Sequence, residues 1–145
     1  MKKLLVVLTL VLGISAAAVA QPRAIGVRGA FGAEISYQHS LSSNFVEAGL
    51  GFWGGGFGVT GVYDFVLASP QWTPGTWNVY AGPGASLAVG GGVVVGICAQ
   101  VGLEYTFESI PLQLSLDMRP SVVTISEGMS FMSGFYPAFG IRYAF

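Results

Sequence analysis

From about residue 24 to the C-terminus the chain alternates apolar and non-apolar side chains, and a period of two commits it to β-strands with one apolar face. The pattern is clearest in 112–119, where Leu112, Leu114, Leu116 and Met118 oppose Gln113, Ser115, Asp117 and Arg119. The last segment, 138–145, repeats it with Phe139, Ile141, Tyr143 and Phe145 against Ala138, Gly140, Arg142 and Ala144. Segment 93–107 sets Val95, Ile97, Val101, Leu103, Tyr105 and Phe107 against Gly96, Cys98, Gln100, Gly102, Glu104 and Thr106. The same parity runs through 57–67 and 76–89, and less cleanly through 45–53, 34–40 and 24–31. A reversal at Gly32-Ala33 makes eight strands; one continuous strand over 24–40 would leave seven.

Breaks between strands fall in turn-forming composition: Ser42-Ser43-Asn44, Gly54-Gly55-Gly56, Ser69 to Gly75, Gly90-Gly91-Gly92, Ser109-Ile110-Pro111 and Ser126 to Gly134. Eight strands of about 11 residues use about 88 residues and leave about 37 for seven connections, which suits short hairpins. Pro83, Pro120 and Pro137 lie in or beside these strands, and each removes a ladder donor, so bulges are expected there.

Charged residues make up only 9% of the chain and hydrophobic ones 52%, against about 25% charged in an ordinary soluble domain. Residues 1–20, MKKLLVVLTLVLGISAAAVA, have two lysines, an apolar run and Ala18 and Ala20 in A-x-A positions, the pattern of a removable secretory signal peptide. The expected mature unit is one domain, 21–145. It has four arginines, no lysine and seven acids, a formal net charge of −3 that disfavours nucleic-acid binding. Cys98 is the only cysteine, so no internal disulfide is possible. No later stretch has the unbroken apolar length of a membrane helix, so a membrane location would require a closed β-barrel. Even strand number places both termini on the periplasmic side. On that path the outward aromatics Tyr37, Phe65, Trp77, Tyr105, Phe107, Tyr143 and Phe145 gather towards the periplasmic end, and Phe31, Phe52, Phe57 and Phe135 towards the outer end. Two aromatic belts around an aliphatic band are the pattern of a barrel in a bilayer, whereas a soluble β-sandwich would turn a polar face outwards. The expected fold is all-β: an eight-stranded antiparallel up-and-down transmembrane β-barrel.

The leader, the eight segments and the ending GIRYAF resemble small outer-membrane β-barrels of the OmpA/OmpX-like type. Gly140, Tyr143 and Phe145 match that family's C-terminal assembly signal, although Ala138 stands where the signal usually has a polar residue. The run Glu34-Ile35-Ser36-Tyr37-Gln38-His39 is similar to a segment of porin-family small barrels of unknown function. The resemblance implies outer-membrane localisation, membrane lipid, periplasmic chaperones and the barrel-assembly machinery as partners, and a monomer; it implies no particular activity.

Parity turns Arg28, Glu34, Glu47, Asp64, Glu104, Asp117, Arg119 and Arg142 towards the lumen, eight of the eleven mature charges. An eight-stranded barrel is just wide enough for side chains to fill it, so these residues are expected to form an interior guanidinium–carboxylate network. The alternative is a narrow ion or proton path, in which Gly26, Gly58, Gly82, Gly84, Gly96 and Gly102 leave gaps. His39, beside Ser40 and Ser42, raises a lipid-modifying acyl-transfer enzyme, but neighbouring strand residues point to opposite faces; no enzymatic site is expected. One His and one Cys cannot build a metal site, and the triple glycines lack the Lys of a phosphate loop, so no cofactor is expected. The longest expected loop, Ser126 to Gly134, offers Met129, Phe131 and Met132 as a surface-contact patch, or continues as strand.

Overall fold

The structure is a computed structural model that describes residues 21–29, 32–53, 55–125, 128 and 130–145. Residues 1–20, on which the expected signal peptide falls, Phe31 and Met129 lie outside the described residues. Ten strands follow in chain order: β1 (Pro22–Gly29), β2 (Ala33–Leu41), β3 (Asn44–Trp53), β4 (Gly56–Ala68), β5 (Thr76–Val89), β6 (Val93–Thr106), β7 (Leu112–Met118), β8 (Ser121–Ile125), β9 (Ser130–Ser133) and β10 (Pro137–Ala144). Every pairing is antiparallel, and β1 pairs with both β2 and β10. The ten make eight staves, because β6 holds β7 along one half and β8 along the other, while β10 pairs with β7 and β9 with β8. The sheet closes into an eight-stranded barrel. Closure matters because it leaves no long row of unpaired backbone donors and acceptors.

Gly29 pairs with Ala33, so β1 and β2 form a hairpin and the count of eight stands over seven. The barrel's first and last strands begin and end together: Ala24 opposes Ala144, and the Phe145 N–H donates to the Arg23 carbonyl at 3.0 Å. The connections are short. Ser42 takes a left-handed φ of 59° in the β2–β3 turn, and Gly91 takes φ 70° in the β5–β6 turn.

Of the bulges expected at the three prolines, none lies at Pro83, and one lies where Pro120 and Pro137 come together. At Pro83 the β4–β5 and β5–β6 registers continue unshifted on either side, although no β4 partner is assigned to Pro83 itself; the β4 irregularity lies between Val66 and Ala68. A missing N–H removes one bond without requiring an extra residue. At Pro120 the seventh stave is interrupted, but its register against β6 holds, and the Ala99 N–H donates to the Pro120 carbonyl at 3.0 Å. The bulge sits on the eighth stave: three residues, 134–136, face the two-residue break 119–120, shifting the register by one. Gly134 takes φ 80° there, and a Cβ would run into the Arg119 carbonyl. This extra residue keeps Ser133 on the lumen side below the bulge and Ala138, Gly140 and Arg142 inward above it.

Of the two readings of the segment Ser126 to Gly134, surface loop or continuing strand, its paired part takes the second. Ser130–Ser133 is strand, with Val122 opposite Met132 and Val123 opposite Phe131. Phe131 and Met132 therefore lie on a paired strand rather than on a loop, with Met132 67% exposed. Pro120 hid this from the pattern, because it ends the alternation of 112–119 without ending the stave.

Replacing Gly134 by Val is expected to lower barrel stability by about 1–3 kcal/mol, since a β-branched residue must hold a left-handed φ against a backbone carbonyl. Urea unfolding of the refolded barrel measures this, with Gly128→Val, left-handed but unobstructed, as the smaller-effect control.

Candidate functional site in the barrel lumen

Inward parity places a polar column through the barrel. Arg28, Glu34, Glu47, Asp64, Glu104, Asp117, Arg119 and Arg142 all face the lumen. They are joined by Arg23, which the alternation had left outside. Arg23 is the residue at the register shift between Pro22 and Ala24, and a bulge re-aims a side chain. A charge balance offered the only hint of it, because five inward acids exceeded three inward arginines. Glu108 is exposed and Glu127 lies outside the described residues.

At the terminal end, Arg23 donates to Gln38 and Glu104 and stands 4.1 Å from the centre of the Phe45 ring. Asn78 donates to Glu104 at 2.9 Å, and the Phe45 ring meets Tyr80 edge-on at 5.3 Å. Phe45, Tyr80, Gln38 and Glu104 are almost wholly buried, so this end is filled.

Glu47 is the hub of the middle layer. It accepts from Gln38 at 2.9 Å, from Arg119 at 2.8 Å and from Arg142 at 3.2 Å. Arg142 spends its other donors on Ser36 at 2.8 Å and Ser115 at 2.7 Å. Arg119 reaches both Glu34 oxygens, at 3.1 and 3.0 Å, and donates through Nε to Gln100 at 2.7 Å. Gln100 passes a donor on to Asp64 at 2.9 Å. Arg28 is held by Asp117, with its Nη1 4.0 Å from Glu34. Asp64 is the lumen acid without an arginine partner among the described residues, and its Oδ1 accepts no hydrogen bond.

Most of the lumen glycines that were candidates for watery gaps are filled positions. A Cβ on Gly102 would stand 2.6 Å from the Tyr80 ring, and one on Gly84 would meet Val62 at 2.8 Å and Cys98 at 2.9 Å. Gly26 and Gly82 face close backbone, and Gly96 faces Ser86 and Val123. Gly58 differs, because it lines a cavity of about 440 Å³ at the end opposite the termini. Arg28, Glu34 and Arg119 form the floor of that cavity, and mostly small residues of β3 to β6, β8 and β9, with Tyr136, form its walls. Nothing in the strand pattern announced it, since it arises where inward residues are short.

His39 sits on β2 with its Nδ1 3.0 Å from the Tyr37 hydroxyl, and its Nε2 is buried without a partner. Cys98 is buried and free. Among the described residues no group of His, Cys, Asp and Glu could hold a metal ion.

Fold and lumen together define a closed eight-stranded antiparallel barrel with a charge-paired interior. In comparison with known proteins, the chain matches no family model, no curated protein and no solved structure.

Glu47→Ala would strand Arg142, which is 1% exposed, without a carboxylate. Breaking a buried pair from one side costs about 3–5 kcal/mol. A loss of that size in the urea unfolding free energy is expected, with a smaller one for the more exposed Glu34→Gln.

Proposed function

We propose that this chain is an outer-membrane β-barrel protein of the OmpA/OmpX-like kind, exported by its leader, inserted by the barrel-assembly machinery and monomeric in the membrane. Its role is structural or surface-interacting, without an enzymatic site and without an open pore. The observation that carries this reading is the inverted distribution of side chains. Outward residues such as Val27, Ile97, Leu116 and Ile141 are 57%, 68%, 54% and 46% exposed, while nine charged residues line the inside. Water disfavours a belt of that extent, and hydrocarbon accepts it.

Aromatic placement supports the same reading. Trp72, Trp77, Tyr105 and Phe107 form a chain of ring contacts with centroids 4.7 to 5.3 Å apart, and Tyr143–Phe145 and Tyr63–Phe65 lie towards the same terminal end. Phe52, Phe57 and Phe135 stand exposed towards the far end. Such rings suit the two membrane–water interfaces. The exposed Met132, on the β8–β9 hairpin at the far end, is the candidate surface contact.

A narrow proton or ion path keeps one observation in its favour, the arginine-free Asp64. The filled terminal end, with Arg23, Phe45 and Tyr80 across it, favours a closed barrel.

The expected outcome is recovery in the outer-membrane fraction, faster gel migration without boiling, and no steady conductance in planar bilayers. Recovery in the periplasmic fraction with no heat-dependent mobility overturns the membrane placement. Conductance that Asp64→Asn abolishes overturns the closed barrel in favour of the path.

A further inference from the structure

The cavity at the far end is a built site rather than leftover space. Its floor has two guanidiniums in different states. Arg119 has all three nitrogens engaged: Nε donates to Gln100, Nη1 to both oxygens of Glu34 and Nη2 to Glu47. Arg28 spends Nε and Nη2 on one oxygen of Asp117, and its Nη1 makes no hydrogen bond among the described residues. That nitrogen stands 4.0 Å from Glu34 Oε1, beyond hydrogen-bond reach. The Arg28 side chain is only 11% exposed and that of Glu34 14%, so a sheltered cationic donor and a carboxylate stand side by side at the base of the cavity.

We infer that this cavity binds a small zwitterion carrying a short aliphatic group, an α-amino acid or a similarly compact molecule. Its carboxylate meets the spare Nη1 donors of Arg28, and its ammonium meets Glu34. Charge decides between the options. Each floor arginine already has a carboxylate, and the lumen as a whole has four arginines against five acids, so an added anion finds no net positive field. A lone cation leaves the Arg28 donors unmet. A molecule with both charges satisfies the floor without disturbing the balance. The walls supply the rest: Val94 and Val123 offer apolar contact, and Thr60 and Ser86 offer hydroxyls. A volume of about 440 Å³ lies within the range of small-molecule sites.

The cavity belongs to the barrel wherever the barrel resides, so absent binding leaves the proposed location untouched, and a wrong location leaves the cavity intact. The experiment titrates the intact barrel in lipid nanodiscs with leucine, 4-methylpentanoate and 3-methylbutylamine, read by NMR at the Arg28 side-chain Nε and the amides of Thr60, Ser86 and Val123. Leucine is expected to shift these signals saturably and to bind more tightly than either single-charge analogue. Arg28→Gln is expected to weaken leucine about tenfold or more. Because Arg28→Gln also strips Asp117 of its partner, Val123→Trp provides a second arm that fills the cavity and leaves the floor intact; it should abolish the shifts in a barrel that retains heat-dependent mobility. Glu34→Gln should erase leucine's advantage over 4-methylpentanoate. No saturable shift with leucine, equal binding of the carboxylate alone, or undiminished binding to Val123→Trp overturns the inference.

Discussion

Charge compensation inside a closed tube is the interaction on which the rest of this structure depends. A barrel of eight staves has room for side chains and little else, so a charge that points inward must find its opposite there or carry a large desolvation cost. Glu47 shows how the condition is met, one carboxylate receiving two guanidiniums and an amide from three other staves. These partners are separated in sequence by up to 95 residues, so the network ties the first half of the barrel to its last two staves. It fixes the lumen as firmly as the ladder fixes the wall.

Size complementarity accompanies charge. Large inward side chains stand beside glycines: Tyr80 over Gly102 and the Glu34 carboxyl against Gly49 on the neighbouring strand, and the Arg142 guanidinium over Gly140 on its own strand. Gly102, one of the glycines that gave the sequence the look of a leaky tube, is a recess into which a polar side chain fits. The two halves of the lumen differ for the same reason. Towards the termini Phe45, Tyr80, Gln38 and Arg23 occupy the section, whereas at the far end Gly51, Gly58, Thr60, Ser86 and Ser121 line the cavity. One end is a plug and the other a cup with a charged base.

Strand termini and turns were largely legible because their signals are local. β5 spans the alternating segment 76–89, and the hairpins fall at Ser42-Ser43 and Gly90-Gly91-Gly92. The seventh and eighth staves were not read in full. Pro120 interrupts the alternation as a loop would, and only the pairing of β8 with β6 and β9 shows that the wall continues past it. The single extra residue at 134–136 has no sequence period of its own, and neither does the irregularity that turns Arg23 inward.

The sequence by itself determined that this chain makes antiparallel staves, which residues of the alternating segments face outward and that most of its few charges face inward. A strand's two-residue period carries that information within each segment. Tertiary structure alone decided that the staves number eight, which arginine meets which acid, that Asp64 meets none among the described residues, that most of the lumen glycines are filled, and that a cup opens above Arg28 and Glu34. Those outcomes depend on the relative height of residues on different strands, which registers and bulges set, and a one-residue shift reverses them.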